Sequence, residues 1–286
     1  MVAPSPFSGI HQALLDRIRD TLVEDESRFQ RDTGTDLTSL WSHSARVAAI
    51  AHAIALKEGV DPTAAVLAAL LHDAGKFHEG RYHEGDIAEE ERAIDLAREL
   101  LSGSPHEALL PEVESAILSL FRDVDSGIGA VLHDADRIDK LGCAGIAQFF
   151  AKSALRGRFL GDDLLMQASV ELTYALHADR TLRTRTGREL SVSRSARVRD
   201  YFDGLLEEWR ELGMGSFRID RADVEGITLL LVVPEACGCG SPYEIRTDIK
   251  EGVKCRSAVV EYACPRCGGT RGLSFCLPVL ASLLTA

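Results

Sequence analysis

The sequence predicts a mainly α protein: an all-helical domain over residues 1–215, then a small β-rich module over residues 222–286. Three observations carry this reading. Apolar residues recur at helical spacing through most of residues 10–213, with no strong strand signal. Beyond Gly213 and Gly215 the pattern changes to alternation. Cysteine is lopsided as well: of seven, only Cys143 lies before residue 237.

The elements follow in order. Asp36 to Gly59 reads as a helix with Val47, Ile50 and Ile54 on one face, and His43 falls on that face. Asp61-Pro62 supplies an N-cap and a proline at the first helical position, the Ala/Leu-rich run Thr63 to His72 follows, and Gly75 stops it. Asp86 with Glu89 makes an acidic capping box before a helix from Ile87 to Leu101. Pro111 starts another, to Phe121. Ile128 to Leu155 is expected as one long helix despite Gly142 and Gly145, with two more at Asp162–His177 and Ser195–Leu212. In the tail, Ile227 to Val233 is a β-branched and leucine run closed by Pro234. Tyr243, Ile245, Thr247 and Ile249 alternate with Glu244, Arg246, Asp248 and Lys250. Glu251-Gly252 reads as a turn, and Val253 to Tyr262 alternates again. Leu273 to Ala286 is apolar but short and holds Pro278, which favours a packed strand or terminal helix over a membrane anchor.

Composition bounds the function classes. Apolar residues at 45% and charged residues at 27% fit a globular chain rather than a disordered one. The formal net charge of −12 argues against a surface built to grip nucleic acid or anionic membrane. Residues 221–286 carry seven acidic and seven basic side chains, so the acidic excess sits in residues 1–220. Met1 to Ile10 lacks a basic, apolar leader pattern, and no run of 18 apolar residues occurs, so the cytoplasm is the expected compartment. Clustered cysteines there point to a metal rather than to disulfides.

Two constellations carry chemistry. The first is His43, then His72-Asp73 at the end of an apolar helix, then Asp136 in Ala135-Asp136-Arg137. Imidazole with carboxylate suits a divalent first-row ion. Each residue has a plainer reading alone: a core histidine, a helix C-terminus, half an ion pair. Their order and surroundings together point to a metal. Here the chain resembles the HD-domain metal-dependent phosphohydrolase superfamily, strongly over residues 36–155. The run Asp134-Ala-Asp-Arg-Ile-Asp-Lys-Leu-Gly is similar to one subgroup of small bacterial HD hydrolases that includes nucleoside triphosphate pyrophosphohydrolases.

The resemblance implies an all-helical HD bundle. It implies that His43, His72, Asp73 and Asp136 hold one divalent transition metal (Mn, Fe, Co or Ni), with Asp136 matching the motif rather than Asp134. Asp73, Lys76 and Asp139 are the expected catalytic residues, Lys76 as a point charge for phosphate. Asp139 is also placed to orient a metal-bound water or a histidine ligand. His83, Arg122 and Lys140 are expected substrate contacts, and His133 a neighbour of the site. Relatives with two metals carry two further histidines. His78, His83 and His106 do not reproduce that pattern, and Arg122 stands where such a histidine often falls, so one metal is expected.

The second constellation is Cys237-Gly-Cys239 and Cys264-Pro-Arg-Cys267, two knuckle-like pairs flanking a hairpin pattern. Four thiolates make a closed, structural zinc site, and the module resembles a zinc ribbon, although its first pair is Cys-x-Cys. A redox pair at Cys264 and Cys267 is the rival reading. Cys143, Cys255 and Cys276 read as buried small side chains.

The function expected is a metal-dependent phosphohydrolase with a metal-activated water as nucleophile, acting on a nucleotide or related phosphate ester or phosphoanhydride. The alternatives are a non-catalytic nucleotide sensor whose ribbon binds a partner, and a di-iron HD-fold oxygenase. The expected partner is a small phosphorylated substrate. Nucleic acid is admitted but not favoured, no membrane is expected, and a homo-oligomer is left open.

Overall fold

The computed structural model describes residues 5–33, 39–77, 89–120, 127–251 and 256–276. The chain forms two compact units, Met1–Asp139 with Leu182–Leu190, and Lys140–Thr181 with Ser191–Ala286.

The first unit holds α1 (Gln12–Thr33), α2 (Ser39–Glu58), α3 (Pro62–Leu71), α4 (Glu89–Leu101), α5 (Leu110–Ser119) and α6 (Gly127–Asp139). Its centre is α3. Asp61 caps it, accepting the Thr63 N–H at 2.7 Å and the Ala64 N–H at 3.3 Å. Every residue from Ala64 to Leu71 is buried. A helix apolar on all sides has no solvent face and runs through the middle of its bundle. Ile18 and Leu22 of α1, Val47 and Ile54 of α2, Ile117 of α5 and Ile138 of α6 share its core. Burial of each such side chain contributes about 1.5–3 kcal/mol. Glu26 of α1 caps α2, accepting from Ser39 Oγ at 2.6 Å and from the Leu40 N–H at 2.8 Å.

Asp134 of α6 is fully buried. It accepts the N–H groups of Arg183 (2.9 Å) and Thr184 (2.7 Å) and the Thr184 hydroxyl (2.7 Å). A buried carboxylate needs such donors, and these fix the start of α9 (Arg185–Glu211) against α6. Gly187 is required there, because a Cβ would lie 2.3 Å from Asp134 Oδ2.

The second unit holds α7 (Gly142–Leu155), α8 (Asp162–Thr181) and the greater part of α9. Two antiparallel sheets follow. β1 (Phe217–Val224) pairs with β2 (Ile227–Pro234), and β3 (Glu244–Glu251), β4 (Arg256–Ala263) and β5 (Thr270–Cys276) pair in the order β3-β4-β5. One face of α8 caps β2. Ser169 Oγ accepts the Val232 N–H at 2.8 Å, Thr173 Oγ1 accepts the Leu230 N–H at 2.9 Å, and His177 Nε2 donates to the Thr228 carbonyl at 2.6 Å. Spaced four residues apart, these side chains share a helix face, and they satisfy a strand edge that would otherwise need another strand.

The helices and the β-rich end agree with the expected class, with four differences. Ile128 to Leu155 is two helices, broken where Leu141 turns extended and Gly142 takes φ +69°. α9 begins at Arg185, ten residues before the expected Ser195, because Asp134 and Thr184 supply its N-terminal partners. β1 occupies part of the stretch expected as an interdomain break. Its turn uses Glu225 (φ 49°) and Gly226 (φ 82°), the left-handed pair of a two-residue hairpin. The compact units also divide the chain away from residues 215–222, so the change of sequence character there is a change from helix to strand inside one unit. Asp36, Asp86, Phe121, Gly252, Cys255 and the end of the tail lie outside the described residues, as does the Cys276 side chain.

Candidate metal centres

α2 carries His43, the end of α3 delivers His72 and Asp73, and α6 carries Asp136. Ligand atoms of His43, His72 and Asp73 all lie within 4.8 Å of one another. His43 Nε2 is 3.3 Å from Asp136 Oδ1 and 3.6 Å from Asp73 Oδ2. His72 Nε2 is 3.6 Å from Asp73 Oδ1 and 4.0 Å from Asp136 Oδ1. All four expected ligands therefore converge.

The ring nitrogens are set for a metal. His72 Nδ1 donates to the Ala69 carbonyl at 2.8 Å, since a carbonyl only accepts. Nε2 is then the lone-pair nitrogen, and it is buried without a hydrogen-bond partner. His43 Nδ1 donates to Asp139 Oδ2 at 2.9 Å, which turns its Nε2 to the cluster. Burial opposes a charge on His43. The Asp136 and Asp139 hydrogen bonds and the Asp73 charge prevail and hold its pKa above the ordinary value. Burial likewise opposes an ionised Asp73, yet His72, Lys76 and His43 hold its carboxyl well below the usual range. Two imidazoles and two carboxylates, one nitrogen orphaned, form a donor set that fits a divalent ion.

The surrounding residues have visible duties. Lys76 Nζ lies 3.0 Å from Asp73 Oδ2. Asp139 is 1% exposed and accepts from His43 and from Arg46, whose Nε and Nη2 donate at 2.8 and 3.1 Å. Burial would raise the Asp139 pKa, but His43 and Arg46 hold it down to about 2. Of the two roles expected of Asp139, the geometry shows the hold on His43. His133 is buried against Asp134 at 2.9 Å. His106 Nε2 accepts the His11 N–H at 3.1 Å. Lys140 is exposed and belongs to the second unit, where with Lys152 it bears on Glu171. His78, His83 and Arg122 lie outside the described residues. Arg46 was not foreseen. Its signal is the three-residue spacing from His43, which puts both on one face of α2.

The second centre is the cysteine cluster, again with all four sulfurs within 4.8 Å. Cys237 and Cys267 are 3.5 Å apart, as are Cys239 and Cys264. A tetrahedral site with metal–sulfur bonds of ~2.3 Å has sulfur–sulfur edges of about 3.8 Å, so the cluster is sized for one ion. Two tight turns shape it. The Gly240 N–H donates to the Cys237 carbonyl (2.7 Å) and the Gly268 N–H to the Cys264 carbonyl (3.0 Å), with positive φ at both glycines. The Cys239 N–H, with Tyr243 and Cys267, pulls the Cys237 thiol down to about 6. The Gly269 N–H works to lower Cys267, but Cys264 and Cys237 leave it raised to about 11. The four thiols cannot all ionise side by side without a cation between them.

A central apolar helix ending in His-Asp, with a histidine and an aspartate brought in by flanking helices, defines a helical protein with a divalent-metal centre. Residues 40–142 match the family model of the HD domain. That match covers a little over a third of the chain, and the fold is similar to that of solved HD-superfamily hydrolases. Bacillus subtilis YpgQ, solved in complex with ADP, is 25% identical with a TM-score of 0.52, over 68% of this chain and 95% of YpgQ. An HD-superfamily hydrolase from Bacillus thuringiensis is 22% identical with a TM-score of 0.50, over 69% of this chain and 98% of that one, and shows the fold alone. No curated protein matches the chain. No helix among the described residues is long and apolar enough to cross a membrane.

Proposed function

We propose that this chain is a metal-dependent phosphohydrolase acting on a nucleotide or a related phosphate ester or anhydride. One observation carries the reading: His43 and His72 are each locked at Nδ1, so that both Nε2 atoms meet Asp73 and Asp136 in one cluster. Nitrogen and carboxylate donors favour Mn, Fe, Co or Ni. Such an ion, when bound, supplies Lewis acidity toward a phosphoryl oxygen and lowers the pKa of water. The protein does the rest. His43, His72, Asp73 and Asp136 hold the ion. Asp73 stands at the centre beside Lys76 and His43 and is the carboxylate this reading assigns to receive a proton from water. Lys76, partly exposed beside Asp73, offers its ammonium to a phosphate oxygen. The ADP bound to YpgQ supports the nucleotide class. At the cysteine centre, four sulfurs at tetrahedral spacing support a structural zinc.

The test is phosphate and pyrophosphate release from mono-, di-, tri- and cyclic nucleotides with Mn, Mg, Co and Ni, using Asp73→Ala as the control. Release by the wild type, with a loss of about 10³-fold in Asp73→Ala, is expected. No release from any nucleotide, or an Asp73→Ala variant equal to wild type, overturns the proposal.

A further inference from the structure

We propose that Arg46 is a positioning residue that fixes two of the four metal ligands through Asp139. The inference rests on the metal-centre reading above and adds a residue to it. Arg46 is the partner of Asp139 on both oxygens: Nε reaches Oδ1 at 2.8 Å and Nη2 reaches Oδ2 at 3.1 Å. A two-bond fork between guanidinium and carboxylate fixes orientation as well as distance, which a lysine cannot do. Asp139 Oδ2 also receives the His43 Nδ1–H at 2.9 Å. With both oxygens held, the carboxylate has one orientation, and so has the imidazole that donates to it.

The second ligand follows from helix geometry. Asp139 is the last residue of α6, and Asp136 lies three residues earlier on the same face. Arg46 and His43 stand in the same relation on α2. The fork therefore ties the ligand-bearing turn of α2 to that of α6, setting Asp136 against His43 at 3.3 Å. Arg46 is the more accessible partner, with a side chain 37% exposed against 1% for Asp139. Partners that orient a metal-ligating histidine change metal affinity by about 10–100-fold when lost.

The experiment compares Mn(II) affinity and single-site stoichiometry of the full chain for wild type, Arg46→Ala and Arg46→Lys, by electron paramagnetic resonance of free Mn(II). The melting temperature of each metal-free protein and kcat at saturating Mn(II) are measured alongside. Expected are a Kd about 10–100-fold weaker for Arg46→Ala, a smaller loss for Arg46→Lys, a lower metal-free melting temperature for Arg46→Ala because buried Asp139 loses its cationic partner, and recovery of kcat as the site fills. Equal Mn(II) affinities in wild type and Arg46→Ala overturn the proposal while leaving the metal reading intact. A low kcat in Arg46→Ala with the site saturated also overturns it, in favour of a direct substrate contact. No Mn(II), Co(II) or Ni(II) binding by the wild type overturns the metal reading, and this proposal with it.

Discussion

In the His/Asp centre every ligand stands on a helix or at its end, and the other faces of those helices are core: α3 is buried along its length and α2 shares its packing. In the cysteine centre all four ligands stand on loop residues, after β2 and between β4 and β5, and only Cys264 is buried. The first centre is assembled by the fold before any ion arrives, because burial of leucine and isoleucine fixes where His43, His72 and Asp136 point. The second draws its order from two turns and from whatever the sulfurs bind. Among the described residues, the apolar cluster around its sheets is also smaller than that around α3. Under the function proposed above, an ion at the first centre would be a reagent, and at the second a structural member.

The sharpest way to break this contrast is Cys264→Ser. The expected result is loss of about one zinc per chain and of amide-exchange protection in β3, β4 and β5, while α3 keeps its protection. Structural zinc supplies ~10–16 kcal/mol in finger peptides, so this is the largest effect. Unchanged zinc content, or loss of protection in α3 as well, would erase the distinction.

Asp139→Asn probes the preassembled centre without its ion. With a chelator present, the wild type should exceed the variant by about 2 kcal/mol near neutral pH, from a carboxyl held at about 2 against an ordinary 3.8. A depressed carboxyl stabilises the fold above its unfolded pKa. The gap should therefore hold above about pH 4 and close as pH falls toward 2. Urea titrations across that range decide it, and a gap independent of pH would mean that Asp139 is not held as a carboxylate.

A pH effect of the opposite sign is expected at Glu171 of α8. Burial lifts its pKa to about 7 against the pull of Lys152 and Lys140. A raised carboxyl binds its proton more tightly in the folded state, so stability falls as pH rises from about 4.5 toward 7. Glu171→Gln should melt a few degrees above wild type at pH 8 and level with it at pH 5. A variant less stable at pH 8 would show that the lysine pairing outweighs burial.

Much of this was legible in the sequence because it is local. Asp61-Pro62 opened α3, the Ala/Leu run made it central, and its end placed His72-Asp73. Alternation marked β3 and β4. The features that escaped depend on partners distant in the chain. Gly142 ended one helix and started another only because Leu141 turned extended before it. The early start of α9 needed Asp134, some fifty residues upstream. β1 carries too many charges to declare itself until β2 pairs with it.

By itself the sequence determined the helical class, the change to strands after Gly215, and the two sets of ligands, because period, capping and spacing are written along the chain. The motif had already preferred Asp136 to Asp134, and the tertiary structure set Asp136 beside both histidines. It bound Asp134 to Arg183 and Thr184, and through Arg46 and Asp139 it gave His43 its orientation. The physical reason is that a side chain's duty is set by which donors surround it after packing, and those donors come from other helices.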